Sequence, residues 1–256
     1  KLWLNTGFTF DDDEQVYAFG GLSTKEVDGG FFFRNPNTRG GVFSADGGAT
    51  LLVGDVLEAQ GLGTANCPTV TITNDVPDPV ALQDVFNDPN CFTFQERLPG
   101  GFTPQCRGHA LDASVVGGVK GQSESGVFWD ASASWGRNLA DYFIYNTVNA
   151  ALGPETPTSF DPGFYNQQEL SLNLDLSYQI NDVANLAGGL ERREERFEIG
   201  QGQDESWQIG PYAAQGFSSA SNGFPGFSPL ASGHWARRNI AVYADLNLGR
   251  ANDPWE

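Results

Sequence analysis

From Gln168 to Ile180 the chain alternates without a break. Leu170, Leu172, Leu174, Leu176, Tyr178 and Ile180 fall on one face of an extended backbone. Glu169, Ser171, Asn173, Asp175, Ser177 and Gln179 fall on the other. A period of two with one apolar and one polar side predicts a strand that buries only one face. Asn181–Ala184 reads as a tight polar turn and Asn185–Ile199 as the returning strand. Both strands far exceed the common length of ~5–6 residues, so the pair predicts a tall hairpin.

The same pattern recurs along the chain. Lys1–Phe10 alternates, Asp11–Glu14 is an acidic turn, and Gln15–Thr24 runs back. Order returns at Asp112–Gln122, turns at Ser123–Gly126, and continues through Val127–Asn138 with Val127, Trp129, Ala131, Ala133 and Trp135 on one side. Arg237–Leu248 is a last clean strand, with Ile240, Val242, Ala244, Leu246 and Leu248 on one face. Between these pairs lie long stretches without period, at about 25–111 (rich in Gly, Pro, Asn and Asp), 139–166 (with Pro154, Pro157 and Pro162) and 200–236 (rich in Gly, Ser, Phe and Pro). The first has room for short strands at Gly30–Arg34 and Ala49–Val53 and for one helix after Pro79. Connectors therefore alternate short and long. That rhythm matches outer-membrane β-barrels, whose turns are short on one rim and long on the other. A soluble β-sandwich has no reason to sort its loops this way. Seven strands is an odd count, whereas closed bacterial barrels use an even number. The pattern thus predicts an all-β, antiparallel transmembrane β-barrel segment belonging to a larger barrel.

Composition sharpens this reading. The 256 residues include 32 Gly, 19 Phe, 7 Tyr, 6 Trp and no Met, with a net charge of −18. The chain opens on Lys1, which suggests a processed protein or a fragment. The acidic balance argues against nucleic acid, whose phosphates need Lys and Arg, and against docking on an anionic leaflet. No run reaches the ~18–20 apolar residues of a membrane helix, although barrel strands need only ~9–11. Cys67, Cys91 and Cys106 lie in one Gly- and Pro-rich region without CxxC spacing. A loop disulfide is expected rather than a zinc site, with Cys67–Cys91 the favoured pair and Cys106 left over.

Several segments resemble TonB-dependent outer-membrane receptors. They are Gly29–Gly41 (GGFFFRNPNTRGG), Val115–Asn138, Asn146–Gly163, Asn185–Pro211 (NLAGGLERREERFEIGQGQDESWQIGP), Gln215–Pro229 and Arg237–Leu246. The resemblance implies a 22-stranded barrel in the bacterial outer membrane, with the plug domain and the C-terminal strands outside these residues. It implies active uptake of a scarce bulky solute such as a siderophore, cobalamin or an oligosaccharide. The implied partners are the TonB complex, acting through the plug, and outer-membrane lipid and lipopolysaccharide.

Candidate site residues follow from the faces. Asn173, Asp175, Glu191, Arg193, Tyr243 and Asp245 are expected on the polar, lumen-facing side, against plug or substrate. The wider cluster Glu191–Glu198 reads equally as a solvated, salt-bridged wall. Trp207, Tyr212, Phe217, Phe224, Phe227 and Trp235 are candidates for stacking on substrate, with loop packing or an interfacial girdle as the alternative. His109 and His234 sit in separate loops without further ligands at metal spacing, so no metal and no cofactor is expected. No P-loop, G-x-S-x-G or H-E-x-x-H motif occurs, so no catalysis is expected. The reading from a different class is a soluble or surface-anchored β-rich carbohydrate-binding or structural protein. A glycan-degrading enzyme would need a defined carboxylate pair in a cleft.

Overall fold

The computed structural model describes residues 1–11 and 14–249, so Asp12 and Asp13 of the acidic turn lie outside the described residues, as do residues 250–256. Two strands open the chain, β1 (Leu2–Asp11) and β2 (Glu14–Gly30). A long excursion follows, containing β3 (Gly54–Asp55), α1 (Val56–Ala59), β4 (Ile72–Thr73), β5 (Val76–Pro77), α2 (Pro79–Asn87) and β6 (Cys91–Phe92). The main sheet resumes with β7 (Gln105–Gln122), β8 (Val127–Tyr145), β9 (Ser159–Asn181) and β10 (Ala184–Gly200). After α3 (Asp204–Trp207) the last strand is β11 (Gly233–Leu248). Two 3-10 turns, at Ala150–Glu155 and Ala213–Gln215, complete the elements.

The long strands form one antiparallel seven-stranded sheet in the order β1-β2-β7-β8-β9-β10-β11. Its register follows from the period of two. Pairing Leu174 of β9 with Ala131 of β8 and Leu190 of β10 places the leucine row beside other small or apolar residues. A slip of one residue would exchange the faces entirely. The three long connectors all leave from the same end of the sheet, where Gly30 pairs with Gln105 and Gln105 with Tyr145. There they fold together into a cap.

The cap has a dry core of its own. Val42, Phe43, Phe92, Phe94, Phe102, Tyr212 and Phe217 are buried together, so the first and third connectors share one cluster. Phe92 meets Tyr212 edge-on, with ring centroids 4.9 Å apart, and stacks on Phe217 at 5.3 Å. Each such ring contributes about 1.5–3 kcal/mol by leaving water. A smaller cluster of Leu51, Val70, Val85 and Cys91 lies beside it. It is closed by the Cys67–Cys91 disulfide, with Cα atoms 5.7 Å apart. The helix α2 forms where Pro79 occupies the first turn and the Asp78 carboxylate accepts from the Val80 and Ala81 amides. Asp55 likewise caps α1 through the Glu58 amide while accepting from the Thr64 hydroxyl and the Ala65 amide.

This architecture corrects the expectation drawn from the alternation. Among the described residues the sheet is open. Its edges are β1 and β11, which pair with β2 and β10 respectively and not with each other. With two small sheets and three short helices in the cap among the described residues, the fold is mixed rather than an all-β segment of a transmembrane barrel. The physical reason is plain: alternation reports that a strand has one apolar and one polar face, and says nothing about whether the sheet closes. No helix among the described residues is long and apolar enough to cross a membrane. The apolar face of the sheet is substantially exposed along Leu170–Ile180, Leu186–Leu190 and Ile240–Leu248.

Candidate binding site

The polar face carries a repeated arrangement at the end of the sheet opposite the cap. Lys120, Asp130 and Asp175 are cross-strand neighbours, so two aspartates stand directly opposite each other on β8 and β9. Like charges so placed repel. Each is held by a tyrosine. The Tyr17 hydroxyl donates to Asp130 at 2.8 Å and the Tyr243 hydroxyl donates to Asp175 Oδ1 at 2.8 Å. Both phenol pKa values are pushed up, that of Tyr17 first by burial and that of Tyr243 first by its hydrogen bond to Asp175.

Each tyrosine reaches its aspartate by lying across a glycine on the strand between them. A Cβ on Gly118 would stand 2.5 Å from the Tyr17 hydroxyl, and one on Gly189 would stand 2.5 Å from Asp175 Oδ1 and closer still to the Tyr243 ring. Only glycine leaves this path open. The result is a Tyr–Gly–Asp unit on β2, β7 and β8, facing a second one on β11, β10 and β9. Lys120 places its ammonium 5.6 Å from the Tyr17 ring centroid. An open cavity of about 580 Å³ lies over this row. It is lined by Gln15, Lys120, Phe128, Asp130, Asp175 and Tyr243 among others. The tyrosines use part of each carboxylate's capacity, since an ionised carboxylate offers about four acceptor positions.

Further toward the cap both faces of the sheet are charged: Glu191, Arg193, Glu195 and Arg237 stand on the polar face, and Glu194, Arg196 and Arg238 on the leucine-bearing face. Glu191, on the row of Asn173, accepts from Arg193 Nε at 2.7 Å, and Arg193 lies 3.7 Å from Glu169. Glu194 takes Arg196 at 2.7 Å and Arg238 at 3.0 Å, and Arg237 pairs with Glu195. These arginines hold the Glu194 and Glu195 carboxyls below their usual range. The Glu191–Glu198 segment is thus a salt-bridged wall. Solvent and salt screen exposed pairs of this kind, so they add little to stability.

Among the residues singled out from the sequence, Asn173, Asp175, Glu191, Arg193 and Tyr243 share the polar face by their register, and so does Asp245. Only Asp175 and Tyr243 of that group line the cavity. The aromatic candidates divide. Tyr212 and Phe217 are buried in the cap core, and burial raises the Tyr212 phenol pKa. Phe224 packs on Tyr142 at 5.1 Å and Phe227 on Tyr165 at 4.8 Å, which fixes the third connector to the sheet. Trp235 packs on Phe197 at 6.2 Å yet remains 52% exposed, and the Trp207 indole donates to the Gly202 carbonyl at 3.2 Å. None of the six lines the cavity.

Tyr17, Lys120, Asp130 and the two glycines were not singled out by sequence reasoning. Their periodicity marks the face they occupy, but their meeting depends on the register between four or more strands. Cys106 is a free thiol, pushed up in pKa by burial and then by Asp28. Among the described residues no group of three or more His, Cys, Asp or Glu is placed to hold a metal ion.

Fold and site together define an open antiparallel sheet carrying a disulfide-bonded cap at one end and a polar cavity at the other. A scan against protein-family models and a search of curated proteins both return no match. The resemblance to TonB-dependent receptors is therefore not upheld, because no family match supports it and the described sheet is open. The implied uptake function and the TonB, plug, lipid and lipopolysaccharide partners fall with it, and the outer-membrane location, which the connector rhythm had also suggested, is corrected by the open, mixed architecture of the described residues.

Proposed function

We propose that this chain is a β-rich carbohydrate-binding protein that takes a neutral oligosaccharide in the cavity over the Asp130–Asp175 row. The observation that carries the reading is the facing pair of Tyr–Gly–Asp units in an open cavity of about 580 Å³. Sugar hydroxyls are donors that need fixed acceptors, and carboxylates already oriented by phenols supply them without further ordering. Lys120 adds a donor and Phe128 an apolar ring for the faces of a pyranose. Glu14, Asp130 and Asp175 outnumber Lys120 among the charged lining groups, which disfavours an acidic ligand here. The reading is one of binding without covalent chemistry.

The test is calorimetric titration of the intact protein with a panel of neutral oligosaccharides, such as gluco-, xylo- and chito-oligomers. One member is expected to bind, and Asp175→Asn and Tyr243→Phe are each expected to weaken it by about tenfold, a loss of ~1.4 kcal/mol. Failure of the whole panel to bind, or equal affinity in both variants, sinks the reading.

A further inference from the structure

Two of the cap's guanidinium groups crowd one aromatic ring, that of Phe32. Arg34 is only 2% exposed. Its Nε donates to Asn222 Oδ1 at 2.7 Å, its Nη1 donates to the Phe32 carbonyl at 3.0 Å, and its guanidinium carbon lies 3.7 Å from the Phe32 ring centroid. Arg39 brings a second guanidinium to 5.2 Å from the same ring, and its Nε is buried with no acceptor. Among the described residues neither arginine stands within ion-pair distance of an Asp or Glu; Arg97 and Arg137 also lack an ion pair, but Arg97 donates to the Pro154 and Thr156 carbonyls and Arg137 to Asn166 Oδ1.

A buried cation costs folding free energy unless something compensates it, and a second cation beside it adds to the cost. Burial, followed by the charge of Arg39, lowers the pKa of Arg34. The Phe32 ring nevertheless remains 64% exposed, so an apolar surface lies open beside the two charges. An anion beside the accessible part of the Arg39 guanidinium would relieve the repulsion. One that also carries a flat apolar face would use the ring. We propose that Phe32, Arg34 and Arg39 form a second binding site, which takes the carboxylate of an acidic sugar, with the pyranose ring against Phe32.

The probe is D-glucuronate, titrated at low salt into the intact protein, with D-glucose and inorganic phosphate as comparisons. Glucuronate is expected to bind at least tenfold tighter than either, because glucose lacks the charge and phosphate lacks the apolar ring face. Arg39→Gln is expected to weaken glucuronate at least tenfold while leaving the near-ultraviolet ellipticity of the cap aromatics unchanged, which separates loss of the site from loss of the fold. Phe32→Ala is expected to weaken glucuronate and leave phosphate unchanged. Arg34 is too deeply packed to be the first variant. Glucuronate affinity unchanged in Arg39→Gln, or glucose bound as tightly as glucuronate, overturns the site. Phosphate bound as tightly as glucuronate overturns its assignment to a sugar acid.

Discussion

The cap and the sheet are stabilised in opposite ways. The cap is irregular in backbone but dry inside, with Phe43, Phe94 and Val42 almost wholly removed from water and a disulfide across its flank. The sheet is regular in backbone, its long ladders interrupted only by single register shifts such as those at Ala184/Asn185 and Tyr142/Ile144, yet its large apolar residues stay substantially exposed: Leu174 is 42% and Val242 77% exposed. Local order and burial are thus separated in this molecule. A stretch without period can hold the tightest core, and the most periodic stretch can remain open. Contiguous apolar faces of this extent mark contact surfaces rather than accidents of composition.

The contrast breaks most readily at the cap. Phe94→Ala removes a ring that touches Phe43, Phe92 and Phe217, and a cost of ~3–5 kcal/mol is expected from denaturant unfolding. Replacing Cys67 and Cys91 together by Ser opens a crosslink over a separation of 24 residues, for which a loss of ~2–4 kcal/mol is expected by the same measurement. Neither change should alter ligand affinity at the far end of the sheet, as calorimetry would show.

Acid sharpens the comparison more gently. In the cap the Asp46 carboxyl is held well below its usual range, first by the Thr50 hydroxyl and then by the Thr50 amide and Ser44. Asp55 is lowered chiefly by the Glu58 amide. A carboxyl whose folded pKa is depressed contributes stability that is present above its unfolded pKa, near ~3.9, and lost as pH falls through the folded value. The cap is therefore expected to loosen progressively below about pH 4, read as loss of near-ultraviolet ellipticity from its buried aromatics. The smallest effect is expected on the open face. Val242→Ser should change the stability of the chain by roughly 0.5 kcal/mol or less, since that side chain stays 77% exposed, while reducing self-association seen by light scattering.

The sequence showed the strands and hid what they build. Leucines at every second position from 170 to 176 settle which residues share a face, and the turns at Ser123–Gly126 and Asn181–Ala184 settle which strands are hairpins. Pro79 announces a helix, and α2 begins there. Closure was not legible, because a strand's pattern is the same in an open sheet and in a barrel. The cap core was not legible either: Phe43, Phe92 and Phe217 stand far apart in the chain, in segments with no period to tie them. Tyr212 and Phe217 looked available for a ligand because loop aromatics often are, yet tertiary packing buries them. The Tyr–Gly–Asp units escaped notice for a related reason. Tyr17 and Asp130 are separated by 113 residues and meet only once β2, β7 and β8 are in register.

The account stands on the claim that the cap is scaffold for the oligosaccharide and that the sheet's polar end is where it binds. Residue-resolved NMR of the protein with the best-binding neutral oligosaccharide tests this directly. The account predicts shifts concentrated at Tyr17, Lys120, Asp130, Asp175 and Tyr243, with the cap signals unmoved. Shifts concentrated instead at Trp207, Phe224 and Phe227 would contradict it.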